Sequence, residues 1–256
     1  MATFIPHFEL TPDFTMALVA VLGTTISPYL FFWQASSEID VMRAAGKGSE
    51  TERRASKRSK AELYAARVDI SVGMFFSQIV MYSIIATSAA VLHAHGKTDI
   101  QTAEQAAAAL APLAGPFAFV LFAVGIIGTG LLAIPILSGS AAYAVKEFLG
   151  IKGALSVKPQ YRPTFYGIIA LATIVGVAMN LVHLDAIRAL FYSAVINGVV
   201  APPLLLLITL LGSDRSVMGD ETSGLVSRIG TWAATALMSA AAILLIFFLV
   251  TGKVHP

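Results

Sequence analysis

Leu22-Gly23-Thr24-Thr25-Ile26-Ser27-Pro28-Tyr29-Leu30 sits in the middle of an apolar stretch running from Phe14 to Ser37. A helix needs about 20 apolar residues to cross a hydrocarbon layer, and this stretch is long enough. Its centre is not suited to an unbroken helix. Pro28 has no amide hydrogen to donate, and its ring clashes with the preceding turn. Gly23, Thr24 and Thr25 beside it let the helix unwind. Two readings stand. The helix kinks at the proline, as many membrane helices do. Alternatively it parts, and the carbonyls of Thr24, Thr25 or Ile26 turn inward with the Ser27 hydroxyl beside them. Unwound backbone of that kind, buried inside a bundle, can hold a cation.

Outward from this stretch the chain stays apolar. Of its 256 residues, 57% are hydrophobic and 12% charged, with a mean hydropathy of +0.78. Soluble domains carry roughly 25% charged residues, so much of this surface has lipid for its solvent. Six apolar stretches have near-spanning length: Phe14–Ser37, Ile70–Leu92, Phe117–Val145, Phe165–Val182, Ala186–Leu211 and Ile229–Thr251. The fourth is short, and only three residues (183–185) separate it from the fifth. The expected architecture is an all-α integral membrane bundle over 14–251. Residues 1–13 form an outer linker without Lys or Arg, hence without the basic start of a signal peptide.

Charge sets an expected orientation. Residues 38–69 carry eight Lys or Arg: Arg43, Lys47, Arg53, Arg54, Lys57, Arg58, Lys60 and Arg67. Residues 146–164 carry four and residues 212–228 carry two, so these alternate loops hold fourteen of the seventeen basic residues. By the positive-inside rule they face the cytoplasm and both termini face outward. The 38–69 segment is a basic cytoplasmic loop, either a topology determinant or a site for anionic lipid or a regulator. The outer segment 98–115 reads as a short amphipathic helix capped by Thr98 or Asp99.

Other chemistry is sparse. Cysteine is absent, which removes disulfides, thiolate metal sites and thiol nucleophiles. The five histidines, His7, His93, His95, His183 and His255, fall at outer loops or termini. No HExxH, GxSxG or phosphate-cradling glycine loop is present, so an enzyme is not expected. Glu38, Asp69, Asp185 and Arg188 mark span ends. Asn197, Gln78 and Asn180 are polar groups at depth, which bond between helices or line a pathway.

The Leu22–Leu30 stretch resembles the broken sixth helix of the Nramp family of divalent-metal transporters. Leu211-Gly212-Ser213-Asp214-Arg215-Ser216-Val217-Met218-Gly219 is similar to that family's loop after its tenth helix. Leu110-Ala111-Pro112-Leu113-Ala114-Gly115 resembles the approach to its eighth. The resemblance covers essentially the whole chain in order, as helices six to eleven. It implies half of an inverted-repeat, LeuT-type transporter fold plus one extra helix. It also implies inward movement of a divalent cation such as manganese or iron, commonly with protons.

Carried over by position, the Thr24 backbone carbonyl is a metal ligand and Ser27 stands where the family has a methionine. Tyr29 stands where it has a histidine. Ala194 stands where it has a glutamine, with Asn197 nearby. Gly23, Thr25, Pro28, Tyr29 and Asn197 belong to the break or the pathway. A hydroxyl in place of a thioether favours harder ions, magnesium among them. The missing histidine leaves the family's usual proton route open to question.

The resemblance leaves the family's first five helices, with their main carboxylate ligand, unaccounted for. The expectation is a C-terminal fragment, from a truncated gene, an internal start at Met1 or a split protein. Its partners are then the lipid bilayer, the transported cation, and the missing N-terminal helices or a separate chain supplying them. No resident cofactor and no nucleic acid are expected. The alternative function is a membrane sensor or scaffold that keeps the fold without transporting.

Overall fold

In the computed structural model, Thr11 opens the first helix by accepting a hydrogen bond from the Phe14 amide at 3.3 Å. Pro12 follows at the first helical position, where its fixed φ suits a helix and its missing N–H costs nothing. This start lies two residues before the apolar run begins, inside the segment read from sequence as linker. Residues 11–47, 60–91, 105, 107–108, 115–151, 153–182 and 185–252 are described by the structure. All regular structure among them is helical: α1 (Pro12–Thr25), α2 (Pro28–Ala44), α3 (Lys60–Val91), α4 (Ala118–Leu149), α5 (Pro163–Leu181), α6 (Ala186–Ser213), the single turn α7 (Arg215–Met218) and α8 (Leu225–Val250).

Among the described residues, five stretches are long and apolar enough to cross a membrane: Pro12–Ala44 taken through its break, Ala61–Ala90, Ala118–Leu149, Ala186–Ser213 and Leu225–Val250. The apolar part of α5, Pro163–Met179, is shorter. The chain is thus an all-α, multi-pass membrane protein. At their charged ends α2 and α4 run past the apolar residues, to Ala44 and Leu149. They therefore take Asp40, Arg43 and Lys146, which composition alone assigns to loops, into helix. The segment 98–115, read as a short amphipathic helix, lies almost wholly outside the described residues, as do all five histidines.

The chain divides into two compact units, Met1–Phe32 with Ala186–Pro256, and Trp33–Asp185. In the first, α1, α6 and α8 pack on one another. Lipid removes most of the hydrophobic drive between helices, so association depends on close van der Waals fit and small residues. A Cβ on Gly23 would strike the Ala194 carbonyl and the Gly198 backbone, and a Cβ on Gly198 would strike the Val19 carbonyl. The two backbones therefore touch through glycines. Around that contact Val19, Ala241 and Leu245 form one buried cluster, with Met16, Leu22, Val195 and Val199 against it. Ala201, Leu205 and Met238 form a second, flanked by Leu22, Ile26 and Phe31. Asp214 caps α7 through a 2.7 Å hydrogen bond from the Ser216 amide, and the Ser223 amide donates back to the Gly212 carbonyl at 2.8 Å.

In the second unit α4 packs on α5. Its core is an aromatic relay of edge-to-face contacts, Trp33 to Tyr143 at 5.8 Å, Tyr143 to Phe165 at 5.2 Å and Phe165 to Tyr166 at 5.6 Å. Such pairs contribute about 0.5–1.5 kcal/mol each beyond burial. The Tyr143 hydroxyl donates to buried Asp40 Oδ2 at 2.7 Å. No described residue of α3 is buried. On α4, Leu131 and Leu132 are over 70% exposed. Apolar surface on this scale requires lipid or another protein to cover it.

Three outcomes follow. Gly198→Val forces α1 off α6 and costs about 1–3 kcal/mol or more, read as a lower melting temperature in detergent. Tyr143→Phe leaves buried Asp40 without its donor and costs roughly 1.5–3 kcal/mol, read the same way; an unchanged melting temperature would contradict the bond. The Asp214 carboxyl is held below its ordinary value chiefly by the Ser216 amide, and further by the Ser216 side chain. A lowered folded pKa means the cap contributes above the ordinary carboxylate range, about 3.9. It is lost as pH falls through the folded value. The protection of amides 216–219, corrected for intrinsic exchange, should therefore persist above the ordinary carboxylate range and fall as pH drops below it.

Candidate functional site

The interruption falls at Ile26 and Ser27. Thr25 is the last residue of α1, Ile26 leaves helical geometry at φ −115° and ψ 87°, and Pro28 is the first residue of α2. The Ile26 amide still closes the last turn of α1 onto the Leu22 carbonyl at 2.9 Å, and the Leu30 amide opens α2 onto the Ser27 carbonyl at 3.1 Å. Of the two sequence readings, a kink or a parted helix, the structure has the parted one.

The cause is local. In a continuous helix the residue 28 amide would donate to the Thr24 carbonyl, and proline has none to give. The Ser27 hydroxyl takes its place, donating to the Thr24 carbonyl at 3.0 Å and standing 3.5 Å from the Gly23 carbonyl. Ser27 is 6% exposed, so this substitution happens out of solvent. A carbonyl has two lone pairs, so the Thr24 oxygen retains acceptor capacity. The two threonine side chains are spent on their own helix. Thr24 Oγ1 and Thr25 Oγ1 each donate to the Val21 carbonyl at 2.8 Å.

Two oxygens meet at the break, the Thr24 carbonyl and the Ser27 hydroxyl, 3.0 Å apart. Gly23 is buried against α6, Pro28 is buried and Tyr29 is half-buried in the first turn of α2. Asn197 precedes Gly198 in sequence, is half-buried, and makes no side-chain hydrogen bond to the break. Ala194 of α6 contributes its carbonyl at the Gly23 contact, so it lies against the break-bearing helix. Two oxygens on one side do not complete a shell, because hard divalent cations take six or more oxygen ligands. Among the described residues no three His, Cys, Asp or Glu side chains come together.

Sequence reasoning missed a second polar centre, within the unit Trp33–Asp185. Asp40, Tyr143 and Lys146 are buried together at the charged ends of α2 and α4. The Lys146 ammonium stands 5.0 Å from the Tyr143 ring centre. The missed signal was helical spacing: Tyr143 and Lys146 are three apart and share a face.

The sequence profile described as natural resistance-associated macrophage protein-like matches residues 1–248. The chain is 27% identical over 222 residues to a divalent metal cation transporter MntH of Xanthomonas campestris pv. campestris, covering 86% of this chain and 47% of that protein. It is 27% identical over 241 residues to the MntH of Pectobacterium carotovorum, covering 92% and 52% respectively. With the MntH of Caldanaerobacter subterraneus it is 23% identical over 228 residues, 89% of this chain and 49% of that protein. The chain spans about half the length of the curated relatives it matches. A match over nearly every residue places the chain in the Nramp family.

Proposed function

We propose that the chain supplies the broken-helix half of a divalent-cation transporter. The observation that carries this reading is the pair of oxygens at the break, the Thr24 carbonyl and the hydroxyl of buried Ser27. They lie where a helix of a multi-pass bundle gives up its regular hydrogen bonding. The relatives' designation as divalent metal cation transporters supports the substrate class. Their greater length supports a division of labour. This chain corresponds to helices six to eleven of a LeuT-type fold, and the remaining ligands come from helices that it does not contain, in the same polypeptide or a separate one. Transport of this kind needs no catalytic constellation, only a site that two halves can expose in turn.

The orientation follows from charge. Fourteen of the seventeen Lys and Arg lie at 38–69, 146–164 and 212–228; these face the cytoplasm and both termini face out. The ion preference follows from donor chemistry. Backbone carbonyl and hydroxyl oxygen are hard donors, which suits magnesium or manganese better than softer metals. Gly23, Thr25 and Pro28 maintain the break. Tyr29 and Asn197 face the pathway.

Uptake by the chain together with the helices that complete it tests the reading. Ser27→Pro removes the hydroxyl and a further amide, and cation uptake should fall to background while the protein still reaches the membrane. Ser27→Met should keep uptake and raise the preference for manganese over magnesium by about tenfold, the equivalent of ~1.4 kcal/mol of differential binding. Uptake unaffected by both substitutions would overturn the assignment.

A further inference from the structure

Where α2, α4 and α5 leave the apolar zone, a cavity of about 660 Å3 opens in the unit Trp33–Asp185. That volume is in the ~300–1,000 Å3 range of small-ligand sites. Three cationic side chains line it, Arg43, Lys146 and Arg162, together with Asp40 and Glu147. Its wall is held in place. The Leu155 amide donates to Tyr143 Oη at 3.2 Å, and Tyr166 Oη donates to the Val157 carbonyl at 2.9 Å. Gly153 lies so close to the Phe165 ring that a Cβ there would stand 2.5 Å from Cδ2. The cavity is thus framed by a pinned loop and is not a gap beneath a loose one.

Two charged groups facing it are incompletely satisfied. Lys146 is 5% exposed, and burying an ammonium is costly unless it is paired. Its carboxylate neighbour, Glu147 at 3.4 Å, has a side chain 61% exposed, so water weakens that attraction. Asp40 is 8% exposed. Its Oδ2 accepts from Tyr143, but buried Oδ1 has no hydrogen-bond donor, and Arg43 Nη1 stands 3.6 Å away. Arg162 is half-buried and has no ion-pair partner among the described residues. A buried cation short of an anion and a buried acceptor short of a donor therefore open on one space.

We propose that this cavity binds a phosphate group that carries a hydroxyl or ammonium donor beside it. The phosphate oxygens accept from Lys146, Arg162 and Arg43, whose planar fork and ammonium geometry suit them. The neighbouring donor satisfies Asp40 Oδ1. A phosphate alone would leave Asp40 opposing it, which is why the ligand needs both parts. Two sources have this chemistry, a glycerophospholipid headgroup and a soluble phosphate ester. The cavity lies where the apolar spans end, within reach of a lipid headgroup if those spans cross a bilayer. The proposal rests on these residues and not on the cation site.

The test uses the full chain, purified in detergent and stripped of lipid. It is titrated in one arm with dihexanoylphosphatidylglycerol and in the other with glycerol 3-phosphate, and binding is followed by native mass spectrometry. Lys146→Met and Arg162→Gln are measured beside the wild type. Arg162 is half-buried, so its substitution probes the site without a change in the packed core. Saturable binding in either arm, weakened about tenfold or more by Arg162→Gln, the weight of one charge-assisted hydrogen bond, supports the proposal and identifies the source. No binding in either arm, or binding unchanged in both variants, overturns it.

Discussion

A proline ring has no hydrogen to donate, and at position 28 that deficit falls inside a membrane-spanning stretch. Water cannot make it good at that depth, so the protein must. It does so with the Ser27 hydroxyl on the Thr24 carbonyl, and the rest of the first unit is arranged around the result. Parting the helix leaves α1 as a short rod of fourteen residues, too short to cross alone at 1.5 Å per residue. It is held by contact. Gly23 and Gly198 bring α1 and α6 to backbone distance, and α8 closes over them with Ala241, Leu245 and Met238. The break and the glycine contact need each other. The contact fixes where α1 ends, and the break leaves polar oxygen beside a tightly packed interface.

The second unit meets the same difficulty in a different way. Its polar groups lie at the ends of the helices and are held by aromatic rings. Tyr143 is central to that arrangement. Its ring makes edge-to-face contacts with Trp33 and Phe165, its hydroxyl donates to Asp40, and the same oxygen accepts from the Leu155 amide. A single side chain thus ties α2, α4 and the following loop. Apolar surface elsewhere on α3 and α4 is left open to lipid or to protein from beyond this chain.

Much of this was legible in the sequence, and the reasons differ by element. Hydropathy alone reveals spans, because a run of apolar residues in lipid must be helical. The break was legible because Gly23, Ser27 and Pro28 act locally, through neighbours in the chain. The start of α1 was misplaced by two residues because a cap is set by Thr11 and Pro12, which are not apolar. The Asp40–Tyr143 pair was not legible: 103 residues separate its members, and neither position looks unusual alone. Lys146 was read as one more loop charge for orientation, although it is buried over a ring. Asn197 stood out as a polar residue at depth, yet it makes no hydrogen bond to the break.

The central claim is that the Thr24 carbonyl and the Ser27 hydroxyl face a transported cation. An experimental structure of the chain with the helices that complete it, soaked with manganese and phased on the metal's anomalous signal, addresses it most directly. The account predicts a peak at coordination distance, about 2.0–2.6 Å, from the Thr24 carbonyl oxygen, with the helix still parted at Ile26 and Ser27. A peak elsewhere in the bundle, or an unbroken helix through residues 22–30, would contradict it.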